Sequence, residues 1–135
     1  MQKYLYFRTD ADEDDDAAAT DSGLFLLSRL TGMHPTATAA ITLFFEPQIP
    51  YLAAAEADQF ANCDSVALNI VEGTAFEVMR DLATAFAGQG GALGVPFLTV
   101  ADDMTTLLDN TTRDATYLVP NIVSCGAIAV NAALA

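Results

Sequence analysis

Between Asp10 and Asp21 the chain carries seven carboxylates, Asp10, Asp12, Glu13, Asp14, Asp15, Asp16 and Asp21, set among four alanines and a threonine. So much like charge cannot be packed against itself, so residues 10–22 must form a solvated acidic loop. The whole chain has the same bias, with 5 Lys plus Arg against 18 Asp plus Glu and a net charge of −13. Five cations leave little with which to neutralise phosphates, which argues against a nucleic-acid or anionic-membrane partner. Yet 53% of the residues are hydrophobic and mean hydropathy is +0.33, too apolar for a disordered acidic tail. The 135 residues suit a single domain spanning 1–135.

Around the acidic loop, strand signatures dominate. Lys3 to Thr9 alternates, with Tyr4, Tyr6 and Arg8 on one face and Leu5 and Phe7 on the other, which predicts a strand. Gly23 to Leu30 is a short apolar run that suits a buried strand or an ordered loop, and Thr31-Gly32-Met33-His34-Pro35 after it reads as a turn. Thr38 to Glu46 sets Ala39, Ile41, Leu43 and Phe45 on one face, and Pro47 closes it. Gln48 to Asn62 is expected to be a short helix or a loop. Ser65 to Val71 alternates again through Val66, Leu68 and Ile70, and Gly73 ends it.

The helix signature follows. Thr74-Ala75-Phe76-Glu77 spells a capping box, in which hydroxyl and carboxylate satisfy reciprocal free N–H groups. Phe76, Met79, Leu82, Ala83 and Phe86 fall at helical spacing on one face, and Gly88 offers a left-handed stop. A glycine-rich loop, Gly88 to Gly94, leads to a strand from Pro96 to Ala101, an order that permits a parallel crossover. Tyr117 to Ser124 and Gly126 to Val130 complete the set, with Pro120-Asn121 or Gly126 as bends. The expected fold is α+β, a β-sheet or sandwich of about six strands with one main amphipathic helix. Its expected core is Ile41, Leu43, Phe45, Val66, Leu68, Ile70, Phe76, Met79, Leu82, Phe86, Leu98 and Val100.

Two uncharged runs, Leu82 to Ala101 after Asp81 and Ala115 to Ala135, approach the length of a membrane span, but glycines, prolines and asparagines interrupt them. Arg8 and Asp10 cut the first apolar stretch too early for a secretion signal. Cys63 and Cys125 are too few for a disulfide scaffold and too far apart for a C-x-x-C motif, and two buried thiols are the plainer expectation.

Candidate chemistry is sparse. Counted from Asp10, the calcium-loop positions 1, 3, 5 and 12 fall on Asp10, Asp12, Asp14 and Asp21, the metal candidates. Asp15 stands where such a loop requires glycine, and Asp21 where it requires a bidentate glutamate, so a mobile, solvated loop without a tight metal is expected. Asp102-Asp103 follows a strand, where catalytic carboxylates are often carried, and Asp102 is the candidate for an acid-dependent hydrolase. Adjacent strand residues point to opposite faces, however, and Asp103 can cap the next segment. His34, the single histidine, has no ligand or base partner at useful spacing and reads as a turn or interface residue. Asn110-Thr111-Thr112 spells a glycosylation acceptor that means little without a secretory route. No nucleophile elbow, zinc motif, dinucleotide fingerprint or phosphate loop occurs, so no enzyme and no cofactor are expected.

As a set, Lys3 to Thr9 with its aspartate-rich loop, Gly32-Met33-His34-Pro35, Ala40 to Glu46, Ala101-Asp102-Asp103 and Ser124 to Val130 resemble short proteins of tailed bacteriophages of aquatic bacteria. Some of these look like virion structural or capsid-decoration proteins. Gln48 to Asn62 takes no part in the likeness, which brings no catalytic residue. It implies a non-enzymatic structural subunit in a virion, assembling with itself and with a capsid protein as a further partner. The alternatives are a small acidic divalent-cation-binding domain and the Asp102 hydrolase, either of them cytoplasmic. Self-assembly also accords with the apolar runs Gly23 to Leu30 and Tyr117 to Ala135, which lack the polar alternation of a wet face.

Overall fold

The computed structural model of the chain describes residues 3–14, 16–18, 20–47, 63–87 and 97–130. The expectations for Gln48 to Asn62, for Gly88 as a helix stop and for the loop Gly88 to Gly94 lie outside those residues. In chain order the elements are β1 (Tyr4–Arg8), β2 (Ser22–Leu26), a 3-10 turn (Leu27–Arg29), β3 (Leu30–Ala37), β4 (Ala40–Phe45), β5 (Asp64–Ile70), α1 (Ala75–Phe86), β6 (Phe97–Asp102), β7 (Thr116–Tyr117) and β8 (Ile122–Ala129). The fold is α+β and mostly sheet. Among the described residues it has eight strands, more than the about six expected: β3 forms where a turn is expected, and in place of the segments Tyr117 to Ser124 and Gly126 to Val130 stand the two-residue β7 and a single β8 that runs through Gly126.

The strands form two four-stranded sheets. In the first, ordered β2-β1-β6-β7, β1 runs antiparallel to β2 and parallel to β6. The second, ordered β3-β4-β5-β8, is antiparallel throughout. The helix therefore joins β5 of one sheet to β6 of the other, so these strands are not the parallel pair of a crossover. Between the sheets, Phe25 stacks on Phe45 with ring centroids 4.7 Å apart, and Phe7 meets both edge-on. Such pairs add to the burial of large apolar area that holds two sheets face to face.

Gly32 to Pro35, expected as a turn, is part of edge strand β3, where Pro35 is tolerated because an edge need not use every N–H. The capping box does not form: the Thr74 hydroxyl donates to the carbonyl of Val71 at 2.6 Å, and no side chain caps the helix start. Gly73, at φ 82°, makes the bend that brings the chain from β5 into α1, a conformation open to glycine at little cost.

The helix also turns differently from its expected face. Val78, Leu82 and Phe86 enter the core, whereas Phe76 is 67% exposed, with the Arg80 guanidinium 5.5 Å from its ring centroid. Every other expected core residue is buried or packs against the buried cluster, which also includes Leu5, Phe7, Phe25, Ile122 and Ile128. No helix among the described residues is long and apolar enough to cross a membrane.

Candidate functional site

The densest polar cluster lies where β1 and β6 end side by side. Tyr6 pairs with Thr99 but Phe7 pairs with Ala101, so Val100 is an extra residue in β6. This bulge reverses the phase of the strand. It turns Ala101 inward beside Phe7 and brings Asp102 opposite Arg8. There Asp102 Oδ2 receives Arg113 Nη2 at 2.6 Å, and its Oδ1 receives the backbone N–H of Met104 at 3.0 Å. Arg113 also donates from Nε to the carbonyl of Met104. The Asp102 carboxylate is thus neutralised and held on both oxygens, as in a short charge-assisted pair.

Asp103 departs in another direction, as expected of neighbours on a strand. Its backbone N–H donates to the carbonyl of Arg8 at 3.0 Å, and its carboxylate reaches the second sheet. Both oxygens accept the N–H of Cys125, each at 3.0 Å, and Oδ1 also accepts the Tyr117 hydroxyl at 2.6 Å. The Cys125 carbonyl is taken by the Thr9 hydroxyl at 3.1 Å. Burial pushes the Cys125 thiol up to about 12, helped by the nearby Asp103 charge. The same two causes, with the Asp103 hydrogen bond between them, hold the Tyr117 hydroxyl well above its ordinary range.

Arg8, only 3% exposed, anchors the acidic loop. Its Nε donates to the carbonyl of Asp10 at 3.0 Å, its Nη2 donates to that of Asp12, and Nη1 pairs with Asp16 Oδ2 at 2.9 Å. Burial works against its charge, but the Tyr6 hydroxyl and Asp16 outweigh that and raise the guanidinium above its ordinary value. The loop is further stitched to the segment after β6, since Glu13 N–H donates to Thr106 and the Glu13 carboxylate accepts Leu108 N–H. An acidic stretch expected to move is therefore tied down at several points. The physical reason is a buried cation beneath it, which the charge run alone does not reveal.

The metal candidates are not gathered. Asp10 accepts the N–H of Asp12, Asp21 accepts the N–H groups of Ala17 and Ala18, and Asp12 and Asp14 are exposed. Among the described residues, no three His, Cys, Asp or Glu side chains stand together as a metal site needs. His34 is exposed on β3 and stacks on Phe44 at 4.9 Å between centroids. Asn110 takes a left-handed φ of 67° in a tight turn, where Thr111 donates twice to Asp109 and lowers the pKa of that carboxyl. Cys63 and Cys125 are both free thiols, the first half-buried and the second buried.

Chemically, the cluster is a fastening: its donors and acceptors meet one another and bind the two sheets and the loop together. Sequence reasoning singled out Asp102 and Asp103 and missed Arg8, Arg113 and Tyr117 as their company. One signal was available, since Arg8 ends a strand that the alternation already marks; Arg113 and Tyr117 carry no such mark. Searches against protein-family models, curated proteins and solved structures return no match.

Proposed function

We propose that the chain is a non-enzymatic structural subunit that assembles with copies of itself, of the kind that decorates phage capsids. The observation that carries this reading is the exposure of large apolar side chains, among them Leu24, Phe97, Leu108 and Val123, on a small and strongly acidic domain. Apolar surface of this kind is commonly covered in an assembly. The carboxylates left outside keep such an assembly soluble. The virion setting rests on the resemblance of the strand segments to tailed-phage proteins, and a capsid protein is the further partner it implies. The acids at the end of β6 support the same reading, because Asp102 and Asp103 both serve the fold.

Light scattering together with negative-stain microscopy tests it. The purified chain is expected to form regular particles larger than one subunit, and more of them as salt screens the charge of −13. A sharp monomer at low and high salt would remove the reading. Hydrolysis of an ester, phosphate or glycoside that is lost in Asp102→Asn would replace it with an acid-dependent enzyme.

A further inference from the structure

The acidic loop folds back over the end of β1 as a strap, and opposing interactions act on it. Those that hold it down are poorly reached by water or carry no charge. The Arg8 guanidinium, on a residue only 3% exposed, pairs with Asp16 at 2.9 Å and donates to the carbonyls of Asp10 and Asp12. Residues 11–13 also run beside the turn that follows β6. There the Ala11 carbonyl accepts the N–H groups of Thr105 and Thr106, and the Glu13 N–H donates to the Thr106 carbonyl at 2.8 Å.

Like charge pushes the strap off. Asp12 and Asp14 are exposed on it, and Asp109 and Asp114 are exposed on the segment alongside. Arg113, the cation of that segment, is taken by Asp102, so neither Asp12 nor Asp14 has an ion-pair partner among the described residues. Little apolar burial opposes release, since Ala11, Ala17 and Ala18 are all exposed, and such segments open at low cost. Salt acts unequally on the two sides. The Debye length falls from about 30 Å at 0.01 M to about 3 Å at 1 M, which removes repulsion between exposed charges but touches a partly buried pair much less. We propose that the strap is an ionic-strength latch, which lifts from Arg8 in dilute buffer and closes as salt rises. Its opening uncovers the Arg8 guanidinium, a cation on a chain of net charge −13. The latch belongs to the single chain and works whether or not copies associate.

Amide hydrogen exchange followed by NMR in about 0.01 M and about 1 M sodium chloride tests this. The natural chain is compared with the double variant Asp12→Asn, Asp14→Asn, which leaves every bond to Arg8 in place. In the natural chain the N–H groups of Glu13, Thr105 and Thr106 should exchange at least about fivefold more slowly in high salt. In the double variant they should be protected already in dilute buffer and change about twofold at most with salt, while those of Leu43 and Val66 in the core respond as in the natural chain. The factors should be the same at two protein concentrations, as for an event within one chain. Equal exchange in both salts, faster exchange in high salt, or a response undiminished in the double variant overturns the inference. A response that grows with protein concentration also overturns it and assigns the protection to association of copies instead.

Discussion

The carboxylate of Asp103 grips the backbone N–H of Cys125 with both oxygens, each at 3.0 Å. Asp103 follows β6 in the first sheet, and Cys125 lies on β8, an edge of the second. With Thr9 donating to the Cys125 carbonyl, both polar groups of that edge residue are answered by side chains from the other sheet. At Cys125 the edge therefore offers no free backbone group to a further strand.

Removal of the grip should therefore cost stability. Asp103→Ala leaves a donor of Cys125 and the Tyr117 hydroxyl without their acceptor, a loss of about 2 to 3 kcal/mol. Tyr117→Phe removes one bond and should cost about 1 kcal/mol. Urea unfolding of the two variants and their double mutant checks this. The double mutant should fall short of the sum, because both variants break the same bond.

Alkaline pH should weaken the fold through Tyr117 and Cys125. Both groups have raised values when folded, so the unfolded chain releases their protons first. The stability they contribute is complete below their unfolded values and declines as pH rises above about 9, through the Cys125 range near 12. Unfolding measured from neutral to alkaline pH should show this decline, and Cys125→Ser should flatten it. At mildly alkaline pH a thiol reagent should modify Cys63 well before Cys125.

Arg8 should hold the acidic loop. Arg8→Met keeps the stem but leaves the Asp10 and Asp12 carbonyls without their guanidinium donor and Asp16 with only the Ser22 hydroxyl. A loss of about 1 to 3 kcal/mol is expected, from the carbonyl acceptors left unpaired and the charged hydrogen bond removed. Limited proteolysis should then cut between residues 9 and 21 in the variant, at a protease dose that spares the natural chain.

The helix separates two residues expected in the core by burial, Leu82 inside and Phe76 outside. Leu82→Ala should cost about 2 to 5 kcal/mol because it opens a cavity. Phe76→Ala, at an exposed position, should cost less than about 1 kcal/mol. Equal losses in thermal unfolding would contradict the observed helix orientation.

The alternation of apolar residues made β1, β4 and β5 legible, because a strand with one buried face must repeat in twos. The same rule identified Ile41, Leu43, Phe45, Val66, Leu68 and Ile70 as core. Helical spacing located α1 but was ambiguous by one step, since Phe76 and Val78 each extend an apolar stripe and only the neighbouring sheet selects between them. Bulges were hidden. Val100 in β6 and Gly126-Ala127 in β8, the latter two facing Ala67 alone, follow from pairing partners that local sequence does not name. A Cβ on Gly126 would stand 3.1 Å from the Ala67 carbonyl oxygen, which accounts for glycine there only once β5 is in place. The site was legible to the same degree: Asp102 and Asp103 stood out, while the bulge that points one at Arg113 and the other at Cys125 did not.

The most direct measurement is sedimentation equilibrium of the natural chain in dilute buffer and in high salt. The account predicts a mass above that of one subunit, rising with salt as the charge of −13 is screened. A single subunit mass in both conditions, unchanged with concentration, would contradict it.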